Sequence, residues 1–193
     1  MNLQAADITD LGLQVADHAC AFYNGGNDVY DIVVDRASQG LQAGRRCVSL
    51  GDRVSSVRDP VPGELITRER ILPFVAEDGV CLRGGALSRD ALLGIGEALV
   101  TGALGDSYQR IWPLGNVSFV VRSARLEDVL GRVLEPDRFT SRYPQLLMCL
   151  CDLDLFDGEA AMGMLRTHPR IRINWIIVPN SRCIPTRQFL GTP

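Results

Sequence analysis

The stretch Gln145–Asp157, Q-L-L-M-C-L-C-D-L-D-L-F-D, decides how the whole chain is read. A continuous apolar run that ends abruptly in acid has the pattern of a strand buried on both faces at the centre of a parallel sheet, with Asp152 at its carboxyl end. In an open α/β sheet that edge is where ligands bind. The run therefore marks a place before it marks a chemistry.

Working outward, His18 to Tyr23 reads as a short strand, and Asn24-Gly25-Gly26-Asn27 as a turn ending in a helix N-cap. From Asp28 to Ala43, Val29, Ile32, Val33, Ala37 and Leu41 form one helical stripe, closed by Gly44. Cys47 to Leu50 is the next strand, which completes a βαβ unit with a parallel crossover. Further on, Leu65 to Val75 reads as a helix running into Pro73, Gly79 to Leu82 as a short strand, and Ser88 as the cap of a helix to about Leu104. Tyr108 to Leu114 and Val117 to Val121 are β-rich, and Pro113 argues against an uninterrupted central strand across both.

Ser123 opens a helix in which Leu126, Val129, Leu130, Val133 and Leu134 share a face, and it stops before Pro136. Asp157 caps a helix reaching Thr167 and ended by His168-Pro169, where a cationic His168 would suit the helix C-terminus. Ile171 to Val178 reads as one late strand. The expected architecture is a single domain over residues 1–193, three-layer α/β, with a mainly parallel sheet flanked by helices.

Composition agrees with a globular domain: 193 residues, 46% hydrophobic and 22% charged. A net charge of -3 supplies no basic footprint for nucleic acid. All 20 basic residues are Arg, which reads as a compositional bias rather than a set of anion contacts. No charged and apolar leader opens the sequence and no apolar run approaches the length of a membrane span, so a cytoplasmic protein is expected. The six cysteines fall mostly inside apolar runs, which favours reduced thiols over disulfides.

Five segments in order carry a family resemblance: A-D-H-A-C-A-F-Y at 16–23, G-L-Q-A-G-R-R-C-V-S-L at 40–50, L-C-D-L-D-L-F-D-G at 150–158, R-T-H-P at 166–169 and I-P-T-R-Q-F-L-G at 184–191. Together they resemble the MEDS domain, the sensory domain named for methanogen and methylotroph regulators and the DcmR repressor. The resemblance implies a RecA-like core, related to circadian-clock ATPases but lacking the Walker A phosphate loop. It also implies sensing of small, hydrocarbon-derived ligands in signal transduction and transcription regulation. No helix-turn-helix or kinase segment is recognisable beside the domain, so output is expected through a partner protein and not through direct nucleic acid binding.

On that resemblance, Asn24 to Asp28 occupies the phosphate-loop position. A working loop needs G-x-x-x-x-G-K-[ST], because Lys reaches the terminal phosphates and the hydroxyl holds magnesium. This loop is short, acidic at Asp28 and has no Lys, so ATP hydrolysis is not expected. Asp152 takes the position of a metal-coordinating Walker B aspartate, while Asp154 and Asp157 read as a solvated acid and a helix cap.

The ligand-binding residues expected are His18, Tyr23, Asn24 and Asp152, with no catalytic residue and no identified cofactor. His18-x-Cys20 and Cys149-x-Cys151 place their members on one strand face each, an alternative soft-metal set set against ordinary core packing of small thiols. A degenerate nucleotide-binding protein, a thiolate metal or redox sensor, and a purely structural partner-binding module, with or without homo-oligomerisation, stand as the alternatives.

Overall fold

A computed structural model describes residues 18–25, 28, 32, 46–52, 71–76, 82–83, 86–88, 90, 94, 97–98, 101–102, 105, 111–117, 147–174, 176–184 and 188. The strands are β1 (His18–Tyr23), β2 (Arg46–Asp52), β3 (Ile71–Ala76), β4 (Leu82–Arg83), β5 (Ala86–Leu87), β6 (Ile111–Asn116), β7 (Leu147–Asp152), β8 (Arg170–Ile173) and β9 (Ile176–Pro179). The helix α1 spans Gly158–Thr167. Seven strands form one sheet in the order β3-β2-β6-β7-β1-β8-β9, and β4 with β5 makes a separate two-stranded pair. Every pairing in the large sheet is parallel except β8 with β9. This is the mainly parallel α/β fold expected from the sequence, with the Gln145–Asp157 stretch supplying β7 at its middle.

The strand order fixes how the layers lie. The connection from β1 to β2 passes β7 and β6, whereas the one from β7 to β8 passes β1 in the opposite direction. Parallel crossovers are right-handed, so connections that leave neighbouring strands in opposite directions cover opposite faces. Helical residues Gly25, Asp28 and Ile32 belong to the first connection and α1 to the second. α1 buries Ala160 and Met164 in a cluster with Cys20, Cys149, Cys151, Val117 and Phe156, and Phe22, Leu147 and Ile171 pack against it. Because side chains alternate along a strand, Ala19, Ala21 and Tyr23 of β1, with Met148, Leu150 and Asp152 of β7, lie on the other face.

Several elements differ from the sequence reading. Residues 71–76 are strand, not the end of a helix; Pro73 pairs with Ser49 at the sheet edge, where a missing N–H is tolerated. Pro113 lies inside β6, between β2 and β7, and β6 ends at Asn116, so no single strand runs from it through Val117. It pairs with Val48 on β2, and pairing with β7 begins only at Leu114, so at Pro113 the strand has a neighbour on one side alone. The expected late strand is a hairpin: Ile173 pairs with Ile176, and Asn174 turns the chain at φ 52°.

Asp157 is the N-cap as expected, its Oδ1 accepting from Ala160 N–H at 2.8 Å. Gly25 is already helical, ahead of the expected cap at Asn27. The readings of residues 118–121 and 123–134 lie outside the described residues.

Candidate functional site

The site is built where β1 and β7 end together. The two strands run parallel with His18 opposite Leu147, Cys20 opposite Cys149 and Tyr23 opposite Asp152, so their last residues are register partners. Beyond them Leu153 N–H donates to Tyr23 O at 2.9 Å, which extends the ladder by one step. Since the connections after these two strands leave in opposite directions, Tyr23 and Asp152 flank the point where the strand order switches. In doubly wound sheets that is where a crevice opens for a ligand.

Both side chains are buried, Tyr23 at 3% exposure and Asp152 at 7%, while Asn24 next to them is exposed. The Asp152 carboxylate is held by the chain that follows it: Asp154 N–H donates to Asp152 Oδ1 at 3.0 Å. Its carbonyl accepts from Leu155 N–H and Phe156 N–H, both at 3.0 Å. A carboxylate and a phenol are thus carried by register partners that are both largely desolvated, where a hydrogen bond or charge is worth more than in water.

After Asn24, Gly25 takes φ 80°, a conformation that favours glycine, and nothing within 4 Å would meet a Cβ placed there. Asn24 N–H donates to Asp28 Oδ2 at 3.3 Å. A carboxylate of the protein itself therefore accepts the first amide of the loop, where a phosphate cradle would offer that amide to its ligand.

His18 is not part of this group. It starts β1, five residues before Tyr23 and about 16 Å away along an extended strand. Alternation also puts it on the α1 face. Its Nε2 donates to Thr167 O at 3.0 Å, and its ring meets that of His168 edge to face with centroids 4.7 Å apart. His168 is fully buried, and its Nδ1 donates to Met164 O at 2.8 Å. Its Nε2 then carries a lone pair, which has no hydrogen-bond partner among the described residues.

Burial above all, with the His18 ring as a second cause, pushes the His168 pKa down to about 3, against the pull of the Met164 carbonyl. The expectation of a cationic His168 at the helix end is therefore corrected. It is a neutral imidazole that closes α1 by hydrogen bonding.

The cysteine pairs do meet, since Cys20 is opposite Cys149 with Cys151 two residues on, all inside the core under α1. Burial pushes Cys20 and Cys149 up to about 12 and Cys151 well above the ordinary thiol range. Cys20 Sγ points at Arg170 O and Cys151 Sγ at Cys149 O. Among the described residues no group of three or more His, Cys, Asp or Glu side chains is arranged to hold a metal ion. Protonated thiols turned toward carbonyls pack as small apolar groups.

One contributor escaped the sequence reading altogether. Asn180, after β9, donates through Nδ2 to Leu165 O at 2.6 Å and His168 O at 2.8 Å. An Asn following Pro179 reads only as a turn residue, and nothing local signals that its side chain seals a helix 15 residues earlier.

Comparison with known proteins places the sequence in a family. No curated protein matches the sequence. Among solved structures, the chain is similar to the flagellar accessory protein FlaH from Methanocaldococcus jannaschii, at 7% identity and a TM-score of 0.47, covering 86% of this chain and 76% of that one. No helix among the described residues is long and apolar enough to cross a membrane. The family model described as the MEthanogen/methylotroph, DcmR Sensory domain matches residues 17–169, from the residue before β1 through the R-T-H-P step, with the 184–191 segment beyond it. The chain belongs to the MEDS family of sensory domains.

Proposed function

We propose that this protein is a non-enzymatic sensory domain that binds a small molecule in the crevice between the carboxyl ends of β1 and β7. Tyr23 and Asp152 supply the buried polar contacts and Asn24 the contact at the mouth. Binding then acts through a partner protein in a regulatory pathway, without direct nucleic acid contact. The observation that carries this reading is the register pairing of Tyr23 with Asp152 at the switch in strand order. Among the four residues expected from sequence, His18 is left to the opposite edge, where it ties β1 to the end of α1.

Nucleotide binding is the rival reading, and the loop counts against it. The chain has no Lys, and Asp28 presents negative charge to the amide that a phosphate would need. A ligand can switch the domain only by favouring one of two states. A thermal-shift screen with small organic molecules, with ATP and magnesium as a separate arm, tests the proposal. Stabilisation by an organic ligand that Asp152→Ala abolishes is the expected result. Stabilisation by magnesium-ATP alone, or an organic ligand's shift that Asp152→Ala leaves intact, overturns it.

A further inference from the structure

The two ends of α1 are held in different ways. At the carboxyl end, the carbonyls of Gly163, Met164, Leu165, Arg166 and Thr167 accept from Thr167 Oγ1, His168 Nδ1, Asn180 Nδ2, Ile184 N–H and His18 Nε2 respectively, at 2.6–3.0 Å. The last carbonyls of a helix have no partner inside it. Here they are tied to β1, to the turn after β9 and to Ile184.

At the amino end, Leu153 N–H reaches Tyr23 O on β1, and the bonds nearer the helix are made within the turn: Ala160 N–H and Ala161 N–H to Asp157, and Asp154, Leu155 and Phe156 N–H to Asp152. Phe156, 5% exposed, inserts from this turn into the core beside Cys151, Ala160 and Met164. Asp152 is thus both a wall of the crevice and the acceptor for three successive features of the turn that leads into α1.

We propose that Asp152 is the positioning residue through which crevice occupancy reaches α1. A ligand that draws on its carboxylate weakens the bond from Asp154 N–H and loosens the 152–156 turn. The amino end of α1 then swings about a carboxyl end that stays fixed. This rests on the reading of the crevice as the ligand site. It adds the direction of the motion: the end of α1 near Gly158 moves and the end near Thr167 does not.

Hydrogen exchange of the full chain, read by mass spectrometry without ligand, tests the link in Asp152→Ala and Asp152→Asn. Loss of a hydrogen bond to a charged acceptor should speed exchange at residues 154–160 about tenfold to a hundredfold in Asp152→Ala. Asp152→Asn keeps an oxygen acceptor without the charge and should fall between that variant and the wild type. Residues 164–168 and 18–23 should exchange as in the wild type in both.

A uniform rise over the chain, or no rise at 154–160, overturns the proposal; should Asp152→Ala fail to fold, the same pattern in Asp152→Asn decides. The two readings fail separately. Polarised exchange with a ligand-induced thermal shift that survives Asp152→Ala removes the site and keeps the mechanical link. Unpolarised exchange with the shift abolished removes the link and keeps the site.

Discussion

Tyr23 and Asp152 end neighbouring parallel strands as register partners, and the amide of Leu153 closes on the Tyr23 carbonyl at 2.9 Å. That one step of ladder joins the loop after β1 to the turn before α1. On the β1 side, the Asp28 carboxylate accepts from the Asn24 amide at 3.3 Å.

The His18–His168 pair gives the stability of the protein an acid limb. His168 has a folded pKa of about 3 against an ordinary value of 6.5, so between those values the unfolded chain takes up a proton that the folded one refuses. Its contribution is complete above pH 6.5 and is lost as the pH falls toward 3, an amount of roughly 4 to 5 kcal/mol. Urea unfolding at a series of pH values should show this slope, and His168→Phe should flatten it. A slope unchanged in His168→Phe assigns the acid limb to other groups.

Asn180 should matter more than a loop residue usually does. Its side chain donates to two carbonyls at the end of α1 and accepts from Arg182 N–H at 3.0 Å. Asn180→Ala leaves those carbonyls unpartnered and should cost about 2 to 4 kcal/mol in urea unfolding. A loss within a few tenths of a kcal/mol of zero would mean that water replaces the side chain without penalty.

Thiol reactivity separates core cysteines from a sensor. Cys20, Cys149 and Cys151 are buried and held protonated, whereas Cys183 is half-buried. Since the thiolate is the reactive form, iodoacetamide followed by peptide mapping should modify Cys183 in the native protein. The three core thiols should react only on unfolding. Modification of Cys149 or Cys151 within minutes under native conditions would reopen the redox alternative.

Much of the sheet was legible because its strongest signals are local. The apolar run into Asp152, the H-A-C-A-F-Y strand and the Asp157 cap each follow from a few adjacent residues, and each stands where the sequence put it. What failed depends on neighbours far away in sequence. Pro73 looks like a strand breaker until its place at the sheet edge is known. Ile171 to Val178 looks like one strand because Asn174 gives only a weak turn signal among apolar residues.

The candidate site divides in the same way. Tyr23, Asn24 and Asp152 stand together at one edge of the sheet, a placement that strand ends in the sequence make readable. His18 was grouped with them because a sequence shows which strand a residue is on more readily than which end of the sheet it reaches. The neutral state of His168 follows first from its complete burial and second from the His18 ring packed against it, neither of which its local sequence shows.

The central claim is that the recess between Tyr23 and Asp152 holds a small molecule. Native mass spectrometry of the protein purified from its own host measures this most directly. The account predicts a stoichiometric small organic adduct on the wild-type chain that is lost from Asp152→Ala prepared in the same way. A wild-type chain at its bare mass, or an adduct that Asp152→Ala retains in full, would contradict it.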